Sequence, residues 1–409
     1  MTVPARSRSA SRPHCGVRRR RLASAVALTA ALVTPVLSAA VPAHAAPAVG
    51  MVAATHGAPV PVATPGDLLA AGDDGFGQVS GILKQAAGRK VTQVSAGYTY
   101  SLAVADDGTL LAAGNSYNSP ASGILAQAAG KKITQINGGY FNALAVADDG
   151  TLLAAGLDGN GQVSGILAQA AGKKITQISS GYYHSLAVTD DGTLLAAGRD
   201  DYGQVSGTYG RVSGILKLAA GKKITQISAG ETQSLAVTDD GTLLAAGWDY
   251  TCQVDDLLAQ AAGKKITQVL AGPGYSLAVT DDGTLLAAGN DVYGRVSGLL
   301  KQAAGKKITK VFAGVEQSLA VTDDGTLLAA GNDVRGQVSG ILAQAAGKKI
   351  TQVSASQGGT VTLAVADDGT LLVAGSDGFG EVSGLLKQAA GKKITQIASG
   401  VYHDLAIGL

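Results

Sequence analysis

Cysteine is nearly absent: only Cys15 and Cys252 occur in 409 residues, so no disulfide framework holds the fold and burial must do so. Bulky apolar side chains are almost as scarce. One Trp, four Phe and two Met exclude a core of aromatic or thioether bulk and leave Leu, Ile, Val and Ala to fill it. No segment beyond residue 45 is apolar and long enough to span a bilayer. Of five His, those past residue 45 are His56, His184 and His403, far apart and without metal-site spacing. There is no Gly-x-Ser-x-Gly elbow and no phosphate loop, and the repeated Asp-Asp-Gly turns lack the spaced oxygens and closing Glu of a calcium loop. We therefore expect no catalytic residue, no cofactor and no metal.

The chain begins with a basic head (Arg6, Arg8, Arg12, Arg18 to Arg21), an Ala/Leu/Val run from Leu22 to about Ala40, and Ala43-His44-Ala45. That order predicts a secretory signal peptide over residues 1–45. A single membrane anchor is the competing reading, opposed by Pro35 and the small-residue cleavage pattern. Arg19-Arg20 leaves twin-arginine export open beside the general route. The leader holds seven Arg and no acid, so its removal turns a net charge of +2 into −5. A mildly acidic, secreted protein, extracellular or in the cell envelope, has no electrostatic footprint for nucleic acid. With Cys15 removed, Cys252 is expected to be a free, dispensable thiol. Residues 46–65, rich in Ala, Pro, Val and Gly, read as a flexible linker.

What the chain does contain is repetition. The run Gly181-Tyr-Tyr-His-Ser-Leu-Ala-Val-Thr-Asp-Asp-Gly-Thr-Leu-Leu-Ala-Ala-Gly198 places an Asp-Gly between two short aliphatic segments, the strongest short-range signal of a β-hairpin. Its outgoing half recurs at Leu102, Leu144, Leu186, Leu235, Leu277, Leu319, Leu363 and Leu405. Its return half recurs at Leu68, Leu110, Leu152, Leu194, Leu243, Leu285, Leu327 and Leu371, a period of 42 stretched once to 49 and once to 44. An alternating run such as Ile175-Thr-Gln-Ile-Ser179 adds a third strand, and Gln-Val-Ser a short fourth. Ser164-Gly-Ile-Leu-Ala-Gln-Ala-Ala-Gly172 has room for one helical turn with Ser as N-cap and Gly as terminator, too short for a packed helix layer. Units of this size suit an all-β propeller. The chain starts on a return strand and ends on an outgoing one, so the two would complete one hairpin and close the ring; a linear β-solenoid would leave those edges bare. The expectation is a single closed propeller over residues 66–409 with eight blades, seven being the alternative.

The Gly-Tyr-Tyr-His-Ser-Leu-Ala-Val segment, with its Asp-Gly, its aliphatic strand and Gly203-Gln204, resembles the regulator of chromosome condensation repeat. The short spacing and export signal make it similar to the secreted β-lactamase inhibitory protein type II branch. The resemblance implies a β-propeller, typically seven-bladed, that binds other proteins. The chain departs from the family pattern in having Ala before the closing Gly of the return strand, where Trp is frequent, and in keeping the His of Gly-x-x-His only at His184 and His403.

Strand direction sorts the connections into two ends. One carries the Asp-Asp-Gly turns and, beside them, Lys pairs such as Lys173-Lys174 near Asp190-Asp191; these read as solvated turn chemistry and weak surface pairs. At the other end the copies differ, and there all twelve Tyr, the Trp and three of four Phe are expected in loops. Exposed aromatics gathered at one end mark a binding surface. The candidate partner-binding residues are Tyr98, Tyr100, Phe141, Tyr183, Tyr202, Tyr209, Trp248, Tyr250, Tyr293 and Tyr402. Tyr98, Tyr140 and Tyr182 would alternatively wedge between blades. The expected function is a monomeric, non-enzymatic binder of a protein, with inhibition of an extracellular or envelope enzyme as one form and a carbohydrate or cell-wall ligand as the alternative.

Overall fold

The computed structural model describes residues 63–115, 120–207 and 213–409. The expected leader and most of the linker lie outside them. From 67 to 408 the chain forms eight three-stranded antiparallel sheets, the eight blades expected. Blade 3 serves as the type. It has a helix, Ser164–Ala170, then an inner strand, Ile175–Ser180, a middle strand, His184–Thr189, and an outer strand, Leu194–Gly198. Numbered in chain order, the other complete units span 80–114, 120–156, 215–247, 255–289, 297–331 and 339–375.

Blade 8 is assembled from both ends of the propeller. Its helix is Glu381–Ala389, its inner and middle strands are Ile394–Ser399 and His403–Gly408, and its outer strand is Asp67–Gly72. The pairing runs in register from Asp67 opposite Gly408 to Gly72 opposite His403. This is the terminal closure expected from the two unpaired hairpin halves.

Alternation decides the core. Middle strands are buried along their whole length, with Leu and Val on one face and Ala on the other. Leu144 and Val146 of blade 2 thus meet Ala187 and Ala197 of blade 3, with Ile175 and Ile178 between. Large against small lets neighbouring sheets interdigitate at native density without aromatic filler.

Around the channel the inner strands are tied by glutamine. Gln177 Nε2 donates to the carbonyl of Thr225 in blade 4, 2.7 Å away, and Gln352 does the same to Thr395. The belt crosses the closure where Gln396 Oε1 accepts the Val94 N–H at 2.7 Å. In blade 6 Lys310 takes the place of Gln and donates to Thr351 O.

Two expectations need correction. Gln-Val-Ser forms no strand, and the segment after it is a helix of five to nine residues in every blade. It packs on the outer strand of its own unit: Gln169 Nε2 donates to Ala196 O at 2.8 Å, and Ala196 N–H donates back to Gln169 Oε1. The glutamine amide so occupies the ladder groups a fourth strand would take, protecting the edge. Ser164 is not the cap either, since Val163 holds that position without a side-chain bond. The capping oxygen comes from Asp158, whose Oδ1 accepts from Val163 and Ser164 at 2.8 and 3.0 Å. Gly172, at φ 72, terminates the helix as expected.

Candidate binding face

Strand polarity brings three segment ends together at one end of the ring: the exit of each inner strand, the entry of each middle strand and the exit of each outer strand. In blade 3, Ser180 pairs with Ser185 and Gly198 with His184. A Cβ on Gly198 would stand 2.5 Å from Tyr183 O, so the outer strand must leave on glycine for the loops to meet.

On these loops the aromatics form a continuous path. Tyr98 stacks on Tyr140 and Tyr140 on Tyr182, each pair with centroids 4.4 Å apart. Phe141 contacts Tyr140 at 4.5 Å and Tyr183 at 5.5 Å. The Arg199 guanidinium continues the path, 5.6 Å from the Tyr183 ring and 5.3 Å from that of Tyr202, while its Nε donates to Asp201 at 2.6 Å. Tyr202 meets Trp248 edge-on at 4.1 Å, and Trp248 lies 6.1 Å from Tyr250, whose side chain is 70% exposed. One side of the face, from blade 1 to the loop entering blade 5, is therefore a rigid aromatic arc.

Tyr293 and Tyr402 are exposed, but apart from that arc. Tyr293 sits on a single 3-10 turn, Val292–Gly294, at φ 63. Tyr402 packs with Phe379 at 5.7 Å. Tyr209 lies outside the described residues.

Tyr100 is corrected. It begins a middle strand, is buried, and donates its hydroxyl to Gly139 O at 3.0 Å and Asn142 O at 2.8 Å. Tyr275 does the same in blade 5, toward Gly314 and Gln317. These two are the wedges between blades, whereas Tyr98, Tyr140 and Tyr182 remain half-buried on the face. His184 and His403 likewise start strands and are buried; His184 Nε2 is 3.0 Å from Ser234 Oγ, and burial holds the His403 imidazole down at about 4.

Cys252 is not a free thiol. Cys252 occupies a left-handed position, φ 61, where other loops place glycine.

The polar frame of the face went unread in the sequence. Asp200, Asp249 and Asp333 repeat the Asp158 clamp. Burial pushes the Asp249 carboxyl up to about 6 against its backbone hydrogen bonds, and the nearby Asp255 charge pushes the same way. Arg295, where most units have Gln, is buried over the Tyr275 ring at 4.6 Å and donates to the carbonyls of Asn290, Pro273 and Val315. Glu231 is raised by burial, with Arg199 and Arg295 opposing. Among the described residues no three His, Cys, Asp or Glu side chains form a metal-binding group, and no helix is long and apolar enough to cross a membrane.

At the turn end, Lys174 and Asp190 meet through the backbone, with Asp190 N–H donating to Lys174 O at 2.9 Å. The described ion pairs there involve Arg89, Lys90 and Lys392 with Asp107 or Asp67.

Residues 175–204, the three strands of blade 3 and the loop that leaves them, match the family described as regulator of chromosome condensation (RCC1) repeat. The fold is the β-propeller of the solved RCC1 structures. The yeast RCC1 protein Prp20 bound to Kap60 superposes with a TM-score of 0.53 at 15% identity, covering 90% of this chain and 96% of that one. Prp20p from Saccharomyces cerevisiae, in a structure described with its binding to Gsp1p and histones, gives 0.52 at 15% identity over 85% and 93%. No curated protein matches the chain by sequence. At that identity the solved RCC1 structures fix the architecture alone.

Proposed function

We propose that this RCC1-repeat propeller is an exported, non-enzymatic module that grips a protein partner through its aromatic face. The observation carrying this reading is the unbroken arc from Tyr98 to Tyr250, joined at its middle by Arg199. Its members stand on loops of one closed scaffold, so little ordering cost remains on binding. The partner we propose is an extracellular or envelope enzyme, inhibited when the face covers its active site. A sugar ligand is less well served, because Tyr140 has a stacked ring on either side and offers no open face to a pyranose.

The test is quantitative capture from the culture medium and envelope of the secreting cell. Trp248→Ala with Tyr250→Ala should weaken capture of a retained protein at least tenfold with the melting curve unchanged, about 2 kcal/mol of the kind an anchoring aromatic supplies. Lys173→Glu with Lys174→Glu should leave capture intact. Equal losses from both ends would overturn the reading.

A further inference from the structure

The two ends of the ring differ in charge as well as in aromatic content. At the turn end, Asp pairs and Lys pairs alternate around the circle and nearly cancel. At the aromatic end, every described loop leaving an outer strand carries at least one Asp, and the neighbouring loops add Glu231 and Glu316. The described basic side chains there are Arg199, Arg295 and Arg335. Arg199 is paired with Asp201 and Arg295 is buried on backbone carbonyls, so the acidic excess dominates the field above the face.

The loop entering blade 5 concentrates this chemistry. Asp255 and Asp256, both exposed, replace the Ser-Gly that stands there in the other units, and the same loop carries Trp248 and the exposed Tyr250. Their place in the first turn of the helix suits its dipole, yet both side chains remain open to solvent. Aromatic faces beside carboxylates favour ammonium and guanidinium groups, which gain from the ring quadrupole and the opposite charge together. The same field repels phosphates and acidic polysaccharides. Exposed apolar groups elsewhere on the face, Phe76, Tyr293, Phe379 and Tyr402, call for a folded protein surface over a free cation.

Resting on the reading of this face as the binding site, we propose that its partner presents a basic protein surface whose Lys or Arg side chains seat against the Trp248–Asp256 loop. Such complementarity fixes orientation and speeds encounter, and it weakens with salt.

The experiment is a random peptide library displayed on phage and selected on the full-length propeller. Recovered peptides are then measured against wild type, Asp255→Asn/Asp256→Asn and Trp248→Ala/Tyr250→Ala. We expect enrichment of Lys and Arg, at least tenfold weaker binding when NaCl rises from about 0.05 M to about 0.5 M, and a comparable loss in the Asn variant with unchanged melting. Neutral or acidic peptides still lost in the Trp248/Tyr250 variant would overturn the basic partner and leave the binding face standing. A selection with no binder sensitive to either variant would overturn both.

Discussion

Asp404 stands where most other middle strands carry Ser, as at Ser185 and Ser234. It is buried in the closing blade with neither carboxylate oxygen in hydrogen-bond contact. Burial pushes it up to about 7, and the Glu381 charge pushes the same way. A carboxyl raised on folding stabilises fully below its ordinary value near 4, and that contribution fades as pH climbs to about 7. Wild type measured against Asp404→Ser should therefore lose on the order of 4 kcal/mol of relative stability between pH 4 and pH 7. Taking the difference cancels His403, whose depressed value acts in the opposite sense. Denaturant melts of both proteins across that range check this, and a pH-independent difference would contradict it. Tyrosines two residues apart should also behave differently. Tyr100→Ala leaves a void and orphans the Gly139 carbonyl and should cost about 3–5 kcal/mol, whereas Tyr98→Ala should cost about 1 kcal/mol; thermal unfolding of the two variants separates them.

At the scale of elements, the hairpins and the alternating inner strand were legible because period-2 patterning and Asp-Gly turns act locally. The helix was not. Its Ser-Gly start is a poor helix former, and a helix of five to nine residues is marginal by itself; it forms because Asp158 caps it and Gln169 clasps the outer strand. Both interactions are read only once the loop and the sheet edge are in place. Asp158→Ala should accordingly cost about 1–2 kcal/mol, as for loss of an N-cap, without altering strand pairing. Calorimetry gives the cost and amide exchange along Ser164–Ala170 localises it. The same limit explains Tyr100: a loop aromatic and a wedge differ by whether the middle strand begins one residue earlier. The aromatic arc was only partly legible, since residue type and strand direction placed the rings at one end while Arg199, which joins its two halves, drew no attention as a lone cation.

For the whole molecule, closure is the stabilising event. Eight blades meet only if the strand at Asp67–Gly72 pairs with His403–Gly408 and Gln396 reaches Val94. Deleting residues 403–409 removes a middle strand and bares the edges of Ile394–Ser399 and Asp67–Gly72. The cooperative melt of the entire ring should be lost, and an unchanged melting curve would count against closure as the source of stability. The closed ring in turn holds loops from separate blades in one rigid surface, which is the premise of the binding face. The most direct test of that face is a hydrogen-exchange footprint of the full chain with and without its captured partner. The account predicts protection confined to the loops of the aromatic end, centred on 97–99, 139–142, 181–184, 199–206 and 248–256. Protection centred on the Asp-Asp-Gly turns, such as 190–192 and 239–241, would contradict it.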